Sequence, residues 1–266
     1  MTADIDAHDQ PPAYDDGASN DVNALVPPTI HVLAGQSIRA ESAHGAPLYQ
    51  LDRGIATLSY ATSEVEFMRV DRLVMQDAND EPTIKPRTRH IYDIKHIKGV
   101  YGTLSSLESK SPPIFIQATS KKNSVGHLGL KKSHMRSHWK VLPVDVSGKS
   151  SKYGQPAFFK DAKPVFELRH KRGRYEWVDP EGNAIAVEDE GEDQYRFVVT
   201  ATLRREVLDA LVALWCCRLW QYSAEHQEPL FTGMDGGKEI IILGRASVGG
   251  CLTFHSEKEI CACKGA

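Results

Sequence analysis

Several features that define large protein classes are missing from this 266-residue sequence. The first 23 residues carry six aspartates and no lysine or arginine, so they lack the charged and apolar regions of a secretory signal. The longest apolar run, residues 207–217, is shorter than the about 20 residues that cross a bilayer. The five cysteines include the adjacent pair Cys216 and Cys217, which is unlike an oxidised disulfide framework. We therefore expect a cytoplasmic protein with reduced thiols and no transmembrane span.

The sequence also lacks the short motifs of common catalytic and nucleotide-binding sites, such as G-x-S-x-G, H-E-x-x-H, the P-loop and G-x-G-x-x-G. Its histidines lie among lysines and form no recognised arrangement with an aspartate or a serine. Cys251, His255, Cys261 and Cys263 supply four soft metal ligands, but the spacing of the first two is not one that zinc sites commonly use. We expect no enzymatic activity, no cofactor and no metal site.

Composition divides the chain into three parts. Residues 1–27 are poor in large apolar side chains, which predicts a disordered N-terminal tail. From residue 28 onward, short alternating runs bounded by Gly, Pro, Asp or Asn predict β-strands in sequential antiparallel pairing. The runs are residues 30–33, 56–60, 65–70, 91–94, 114–118, 125–130, 139–144, 165–169, 175–178, 184–187 and 195–200. The polar segments 76–89 and 147–155 are predicted to be long surface loops.

One helix is predicted at residues 204–222. It is apolar on nearly every side, which is typical of a helix enclosed by protein. With so many strands before it, the container we predict is a closed antiparallel β-barrel, so the fold class is mainly β and the domain spans residues 28–227. Asp209 is the exception in this helix. We expect it to lie toward a barrel mouth or to meet an arginine, because an unpaired buried carboxylate is costly. Residues 228–266 form an extension in which 238–244 and 251–254 can add an outer hairpin.

Three segments carry a family resemblance: the hairpin 175–186, the strand 195–200 and the helix 205–220. In their order and character they resemble the tubby-like superfamily, which includes LURP-one-related and phospholipid-scramblase branches, and most of all its fungal-type members. The resemblance covers residues 28–221 and implies a β-barrel around one hydrophobic C-terminal helix. It also implies a lipid-facing role, since tubby-like members bind phosphoinositide headgroups. The extension after residue 228 departs from the pattern, and the absence of a calcium-binding acidic loop followed by a membrane anchor argues against lipid scrambling.

Positive charge is concentrated in one region. Residues 121–174 contain fourteen lysines and arginines against three acids, in a chain whose net charge is -3. Such a region can bind the phosphates of anionic lipids through charge-assisted hydrogen bonds. The candidate lipid-binding residues are Lys121, Lys122, Lys131, Lys132, Arg136, Lys140, Arg169, Lys171, Arg172 and Arg174. The alternative is that the charges alternate outward around the barrel and only solvate it. Nucleic acid is a less favoured partner, because the aromatic residues are not spaced like a stacking platform.

The N-terminal tail contains the sequence Pro11-Pro12-Ala13-Tyr14, a PPxY motif of the kind that WW domains bind. From the residues and the resemblance together, we expect a non-enzymatic protein that binds anionic phospholipid or phosphoinositide surfaces and is peripheral at a membrane. The alternative function is a protein-interaction adaptor that recruits a WW-domain ubiquitin ligase through Pro11, Pro12 and Tyr14.

Overall fold

A computed structural model describes residues 24–76, 81–97, 110–120, 124–133, 138–149, 151, 154–191, 194–226, 233–235 and 238–240. One α-helix, α1, runs from Arg205 to His226, and a short 3₁₀ helix spans Ile55–Thr57. The strands are β1 (Leu25–Val26), β2 (Thr29–Ala34), β3 (Ser37–Ala40), β4 (Pro47–Leu51), β5 (Glu64–Gln76), β6 (Pro82–His96), β7 (Ile114–Ala118), β8 (Leu128–Lys132), β9 (His138–Asp145), β10 (Ala157–Phe158), β11 (Phe166–Lys171), β12 (Arg174–Val178), β13 (Ala184–Gly191), β14 (Gln194–Val199), β15 (Leu203–Arg204), β16 (Gly233–Asp235) and β17 (Lys238–Ile240).

Twelve antiparallel strands close into a barrel. Strands β2 to β9 pair in sequential order, β11 to β14 continue the meander, and β14 returns to β2. The two halves join where β9 pairs with both β8 and β11, while the short β10 lies along the far end of β9. Closure leaves no strand edge along the body of the barrel. The predicted closed antiparallel barrel is confirmed.

The helix fills the barrel interior. Every residue from Leu208 to Gln221 is buried, so no side of this stretch faces water. Trp215 stacks on Phe197 of β14 with ring centroids 5.2 Å apart, and Trp220 lies 5.8 Å from His96 of β6 on the other side of the barrel. Burial of these large side chains stabilises the fold by about 25 cal/mol for each Å² of apolar surface removed from water. The buried helix is thus confirmed; it begins one residue later than predicted and continues to His226.

The two ends of the barrel differ. Asp209, near the start of α1, contacts Arg69 of β5, so the helix begins at the end from which the β5–β6 hairpin extends. Trp220, near its end, donates to the carbonyl of Ser59 in the β4–β5 connection at the opposite end. We call the first the hairpin end. The turns that join β8 to β9 and β11 to β12 lie at the opposite end.

Some sequence predictions need correction. Residues 56–60 are not a strand, because Ile55–Thr57 forms the 3₁₀ helix. Ile55 is buried, and the hydroxyl of Ser223 in α1 donates to the carbonyl of Ala56. The segment 76–89 is not a long loop, because Pro82–His96 is one continuous strand paired with β5. The sequence does not reveal this strand, because residues 82–89 are mostly polar and neither face of this part of the strand is buried. The usual alternation of apolar and polar residues is therefore missing.

The flanking segments are described only in part. Leu25 and Val26, which the sequence places in the N-terminal tail, pair with Arg204 and Leu203 just before the helix. In the extension, Lys238–Ile240 pairs with Gly233–Asp235, and the segment 251–254 of the predicted outer hairpin lies outside the described residues. No helix in the part of the chain that the structure covers has the length and apolar character needed to span a bilayer.

Candidate functional site

The β8–β9 and β11–β12 hairpins bring cations to one end of the barrel. Their four strands are neighbours, in the order β8, β9, β11, β12. Trp139, Leu168 and Trp177 lie directly opposite one another across β9, β11 and β12, and all three are buried. Because successive side chains in a strand point to opposite faces, most residues next to this row point outward; Val178, at a register shift, is buried. Lys140 and Arg169 therefore lie on the outer face of the barrel, whereas Lys132 lies directly opposite Trp139 in the row itself.

The cations of these strands occupy a compact set of positions, which we call the basic end: residues 131–133, 138–140 and 167–176. It contains seven lysines and arginines and two glutamates, an excess of five positive charges. The described cations are Lys131, Lys132, Lys140, Arg169, Lys171, Arg172 and Arg174. Lys121, Lys122 and Arg136, also predicted for this site, lie outside the described residues.

Four of these cations already have partners. Arg169 lies 2.8 Å from Glu167, and Lys171 lies 2.8 Å from Glu176. The ammonium groups of two lysines lie over aromatic rings, Lys131 at 5.8 Å from the ring centre of Phe158 and Lys132 at 5.2 Å from that of Trp139. Exposed ion pairs of this kind contribute at most about 1 kcal/mol, so an anionic ligand can compete for the cations.

Three cations remain available to a ligand. Lys140, Arg172 and Arg174 are exposed, and no carboxylate among the described residues forms an ion pair with them. Lys140 lies opposite Lys131 on one side and Glu167 on the other. Like charges directly opposite each other across a sheet are destabilising, and a bound anion would relieve this repulsion.

The turn between β11 and β12 holds Arg172 at the tip of a hairpin. Arg172 and Gly173 both have positive φ, 51° and 82°, as the two central residues of a type I′ turn require. Lys171 and Arg174 pair directly across the base of this turn. Three guanidinium or ammonium groups therefore project together from one tight turn.

A buried polar cluster ties the start of the helix to the barrel. Asp209 accepts a hydrogen bond of 2.9 Å from the Tyr49 hydroxyl and one of 2.7 Å from Arg69, whose Nε also donates to Asp71 at 2.6 Å. Burial works to lower the pKa of Arg69, but the hydrogen bond to Asp71 and the charges of both aspartates outweigh it and raise that pKa above its ordinary value. The expectation that Asp209 meets an arginine is correct.

A second buried ion pair holds the later part of the helix, and sequence reasoning missed it. Arg218 forms an ion pair with Glu188 of β13, and its guanidinium lies 4.5 Å from the ring centre of Tyr175. The same glutamate accepts a hydrogen bond of 2.8 Å from the Trp177 indole N–H. Glu188 opens the acidic run Glu188-Asp189-Glu190, so its sequence context gives no sign that it faces the interior.

The remaining predicted sites are tested only in part. Within the described ranges, no group of three or more His, Cys, Asp or Glu side chains is arranged to hold a metal ion. Pro11, Pro12 and Tyr14 lie outside the described residues, as do Cys251, His255, Cys261 and Cys263. Cys216 and Cys217 are free thiols inside the core, and burial raises the pKa of both.

The geometry thus separates two kinds of charged group. The buried ones are paired with one another and fix the helix in the barrel, whereas the basic end presents cations to solvent. Comparisons of this chain with protein-family models, with curated proteins and with solved structures give no match.

Proposed function

We propose that this protein is a non-enzymatic, cytoplasmic barrel that binds anionic phospholipids, phosphoinositides among them, and docks reversibly on membranes through its basic end. The observation that carries the proposal is the excess of five positive charges on the neighbouring segments 131–133, 138–140 and 167–176, in a chain whose net charge is -3. Lys140, Arg172 and Arg174 are its principal contacts, since they are exposed and have no acidic partner in the described part of the chain.

The chemistry of phosphate groups suits these side chains. An arginine donates two parallel hydrogen bonds to a phosphate, and a lysine acts as a compact point charge. Each cation near an anionic membrane surface contributes about 1 kcal/mol. Three such contacts, with additional help from Lys171 and Arg169 after their glutamates are displaced, contribute about 3–5 kcal/mol, which corresponds to the weak, millimolar to sub-millimolar affinity of a reversible membrane contact.

The site is also organised before a ligand arrives. The buried row of Trp139, Leu168 and Trp177 holds β9, β11 and β12 in register, and the type I′ turn sets the direction of Arg172. A preorganised site loses less conformational entropy on binding than a mobile one. A docking surface on the end of a rigid barrel can therefore meet a flat bilayer without rearrangement of the fold.

Vesicle sedimentation tests the proposal. Full-length protein is mixed with vesicles of phosphatidylcholine alone and with vesicles that also contain phosphatidylserine or phosphatidylinositol bisphosphate. We expect binding only to the acidic vesicles, and a loss of at least tenfold in affinity when salt is raised from about 0.05 M to about 0.5 M, because exposed charges are screened within about 10 Å at 0.1 M.

A competition arm distinguishes a membrane from a soluble phosphate. Excess inositol hexakisphosphate should release the protein from the vesicles if headgroup phosphates are what it binds. Equal binding to neutral and acidic vesicles, or no binding to acidic vesicles at low salt, would refute the proposed function.

A further inference from the structure

The β5–β6 hairpin extends past the barrel wall. β4 pairs with β5 only at residues 67–69, and β7 pairs with β6 only from Tyr92 onward. Residues 70–76 and 82–88 pair with each other, and no other strand in the described part of the chain pairs with either of them. The hairpin therefore has two open edges and two uncovered faces.

Apolar side chains are exposed on this hairpin. Val74 and Ile84 lie directly opposite each other on one face and are 69% and 66% exposed, and Met75 is 48% exposed. Seven large hydrophobic residues are exposed in the described part of the chain, and these are three of them. A two-stranded ribbon without a covered face is only marginally stable in water. The ribbon gains stability if a partner covers it.

The two open edges are not alike. The β6 edge carries Pro82, Lys85, Pro86 and Arg87, and proline and charged residues of this kind protect an edge strand from further pairing. The β5 edge, residues 70–76, contains no proline, and its two charged residues are Asp71, which pairs with Arg69, and Arg72. An additional strand is therefore expected on β5 and not on β6.

Charge along the hairpin selects the partner. The segment that joins the strands carries Asp77, Asp80 and Glu81, whereas Arg72 and Arg87 lie further toward the barrel. Three carboxylates at the turn disfavour insertion into an anionic bilayer. In an antiparallel pair of two identical hairpins, the acidic turn of one copy lies beside the arginine-bearing half of the other. The hairpin is thus electrostatically complementary to itself.

We propose that β5 pairs with β5 of a second copy of this chain, antiparallel and around a two-fold axis at Leu73. This register pairs all seven residues of the open edge, residue 70 with residue 76 and Arg72 with Val74 of the other copy. It places no like charges directly opposite each other, and it puts Val74 of both copies on the same face. The result is a continuous four-stranded ribbon. The proposal concerns the hairpin end and does not depend on lipid binding at the basic end.

Two matched variants test the contact. Val74→Lys sets a lysine opposite Arg72 of the other copy twice in each dimer, whereas Ile84→Lys makes the same change on the same face but on β6, outside the pairing. Both positions are exposed, so neither change disturbs the barrel core. In sedimentation-equilibrium measurements on the full chain, we expect a concentration-dependent dimer, at least tenfold weaker association for Val74→Lys, and a change of less than about threefold for Ile84→Lys.

A cysteine at the axis tests the register. Directly opposite residues in an antiparallel pair have Cα atoms about 4.5–5.5 Å apart, within reach of a disulfide. Leu73→Cys should form an intermolecular disulfide with its own copy, identified by mass spectrometry of the linked peptide. Met75→Cys should not link to itself, because residue 75 faces residue 71. A wild-type monomer at all concentrations, equal weakening by both lysine variants, or no 73–73 link would overturn the proposal. A monomer whose acidic-vesicle binding falls equally in both lysine variants would assign the hairpin to a bilayer instead.

Discussion

Single buried polar residues decide how the helix sits in the barrel. Asp209 and Arg218 are the charged helix residues in the buried stretch 208–221, and each meets a strand residue of opposite charge, Arg69 and Glu188 respectively. A buried ion pair adds little net stability compared with apolar packing, but loss of one partner is costly. The two pairs therefore fix the rotation and the axial position of an otherwise uniformly apolar helix.

His31 gives the fold a dependence on pH. It is 1% exposed in β2, and burial lowers its pKa from 6.5 to about 4, with a further lowering from the charge of Arg205. The folded protein keeps the His31 imidazole neutral down to about pH 4, whereas His31 in the unfolded chain binds a proton below pH 6.5. This contribution to stability is therefore complete above pH 6.5 and is lost as the pH falls toward 4.

The wild type and His31→Gln should differ in how strongly their free energy of unfolding depends on pH. In urea unfolding, the free energy of unfolding of the wild type should fall by about 3 kcal/mol more than that of His31→Gln between pH 7.5 and pH 4. Other groups that titrate in this range affect both proteins alike. Parallel pH profiles would show that His31 has the same pKa in the folded and unfolded states, which would contradict the effect of burial.

The Glu188–Arg218 pair predicts strong coupling. Arg218→Met leaves the buried carboxylate of Glu188 without its cationic partner, and we expect a loss of about 3–5 kcal/mol in the free energy of unfolding. Glu188→Gln/Arg218→Met removes both charges and should be more stable than the sum of the two single losses indicates, by at least about 2 kcal/mol. Additive losses in this double-mutant cycle would mean that the two side chains do not interact in solution.

At the scale of elements, the helix and the barrel depend on each other. The helix is apolar all round and cannot persist in water alone, and the twelve strands enclose a space that their own side chains do not fill. Unfolding should therefore be a single transition in which helix and strands are lost together.

A charge in the helix core tests this dependence. Leu211 is fully buried, so Leu211→Asp places an unpaired carboxylate in the core and should cost several kcal/mol, which moves the protein into the insoluble fraction on expression. Tyr222→Asp, at a site on the same helix that is 40% exposed, is the control and should stay within about 1 kcal/mol of the wild type. A soluble, folded Leu211→Asp protein would contradict a helix enclosed by the barrel.

The elements differ in how well the sequence predicts them. The helix and the hairpins around residues 165–187 are clear because burial and turn chemistry agree in those segments. Residues 56–60 alternate like a strand, yet Ile55 and Ala56 serve as a platform for the end of α1, a tertiary contact that no local pattern shows. The distal half of β6 is hidden for the opposite reason, since a ribbon exposed on both faces has no hydrophobic period.

At the scale of the whole molecule, the two ends of the barrel carry different sets of charged residues. The basic end carries the excess of positive charge, and the hairpin end carries the acidic turn of the β5–β6 connection together with its basic stem. The two proposed contacts, a membrane at the basic end and a second copy at the hairpin end, therefore lie at opposite ends of the barrel.

The sequence reveals the cations but not their neighbours. Residues 121–174 show the excess of lysine and arginine, yet Glu176, which pairs with Lys171, lies just beyond that segment. The adjacency of β9 and β11 is also invisible locally, because β10 intervenes in the chain while the strands pair directly. Of the seven predicted cations that the structure describes, three are exposed and form no ion pair with a carboxylate of the described residues and no contact with an aromatic ring, whereas Lys121, Lys122 and Arg136 stay untested.

The central claim is that the cations of the basic end bind anionic headgroups, and charge reversal at that end tests it most directly. The variant Lys140→Glu/Arg172→Glu/Arg174→Glu is compared with Lys85→Glu/Arg87→Glu/Arg204→Glu, which makes the same change in net charge at exposed residues of the hairpin end. Affinity for phosphoinositide vesicles is measured by titration at low salt, after circular dichroism has shown that both variants are folded. At about 1 kcal/mol for each cation, the basic-end variant should bind at least a hundredfold more weakly than the wild type, and the control should bind within about threefold of it. Wild-type affinity in the basic-end variant, or an equal loss in both variants, would contradict the claim and leave the cations as a solvating surface.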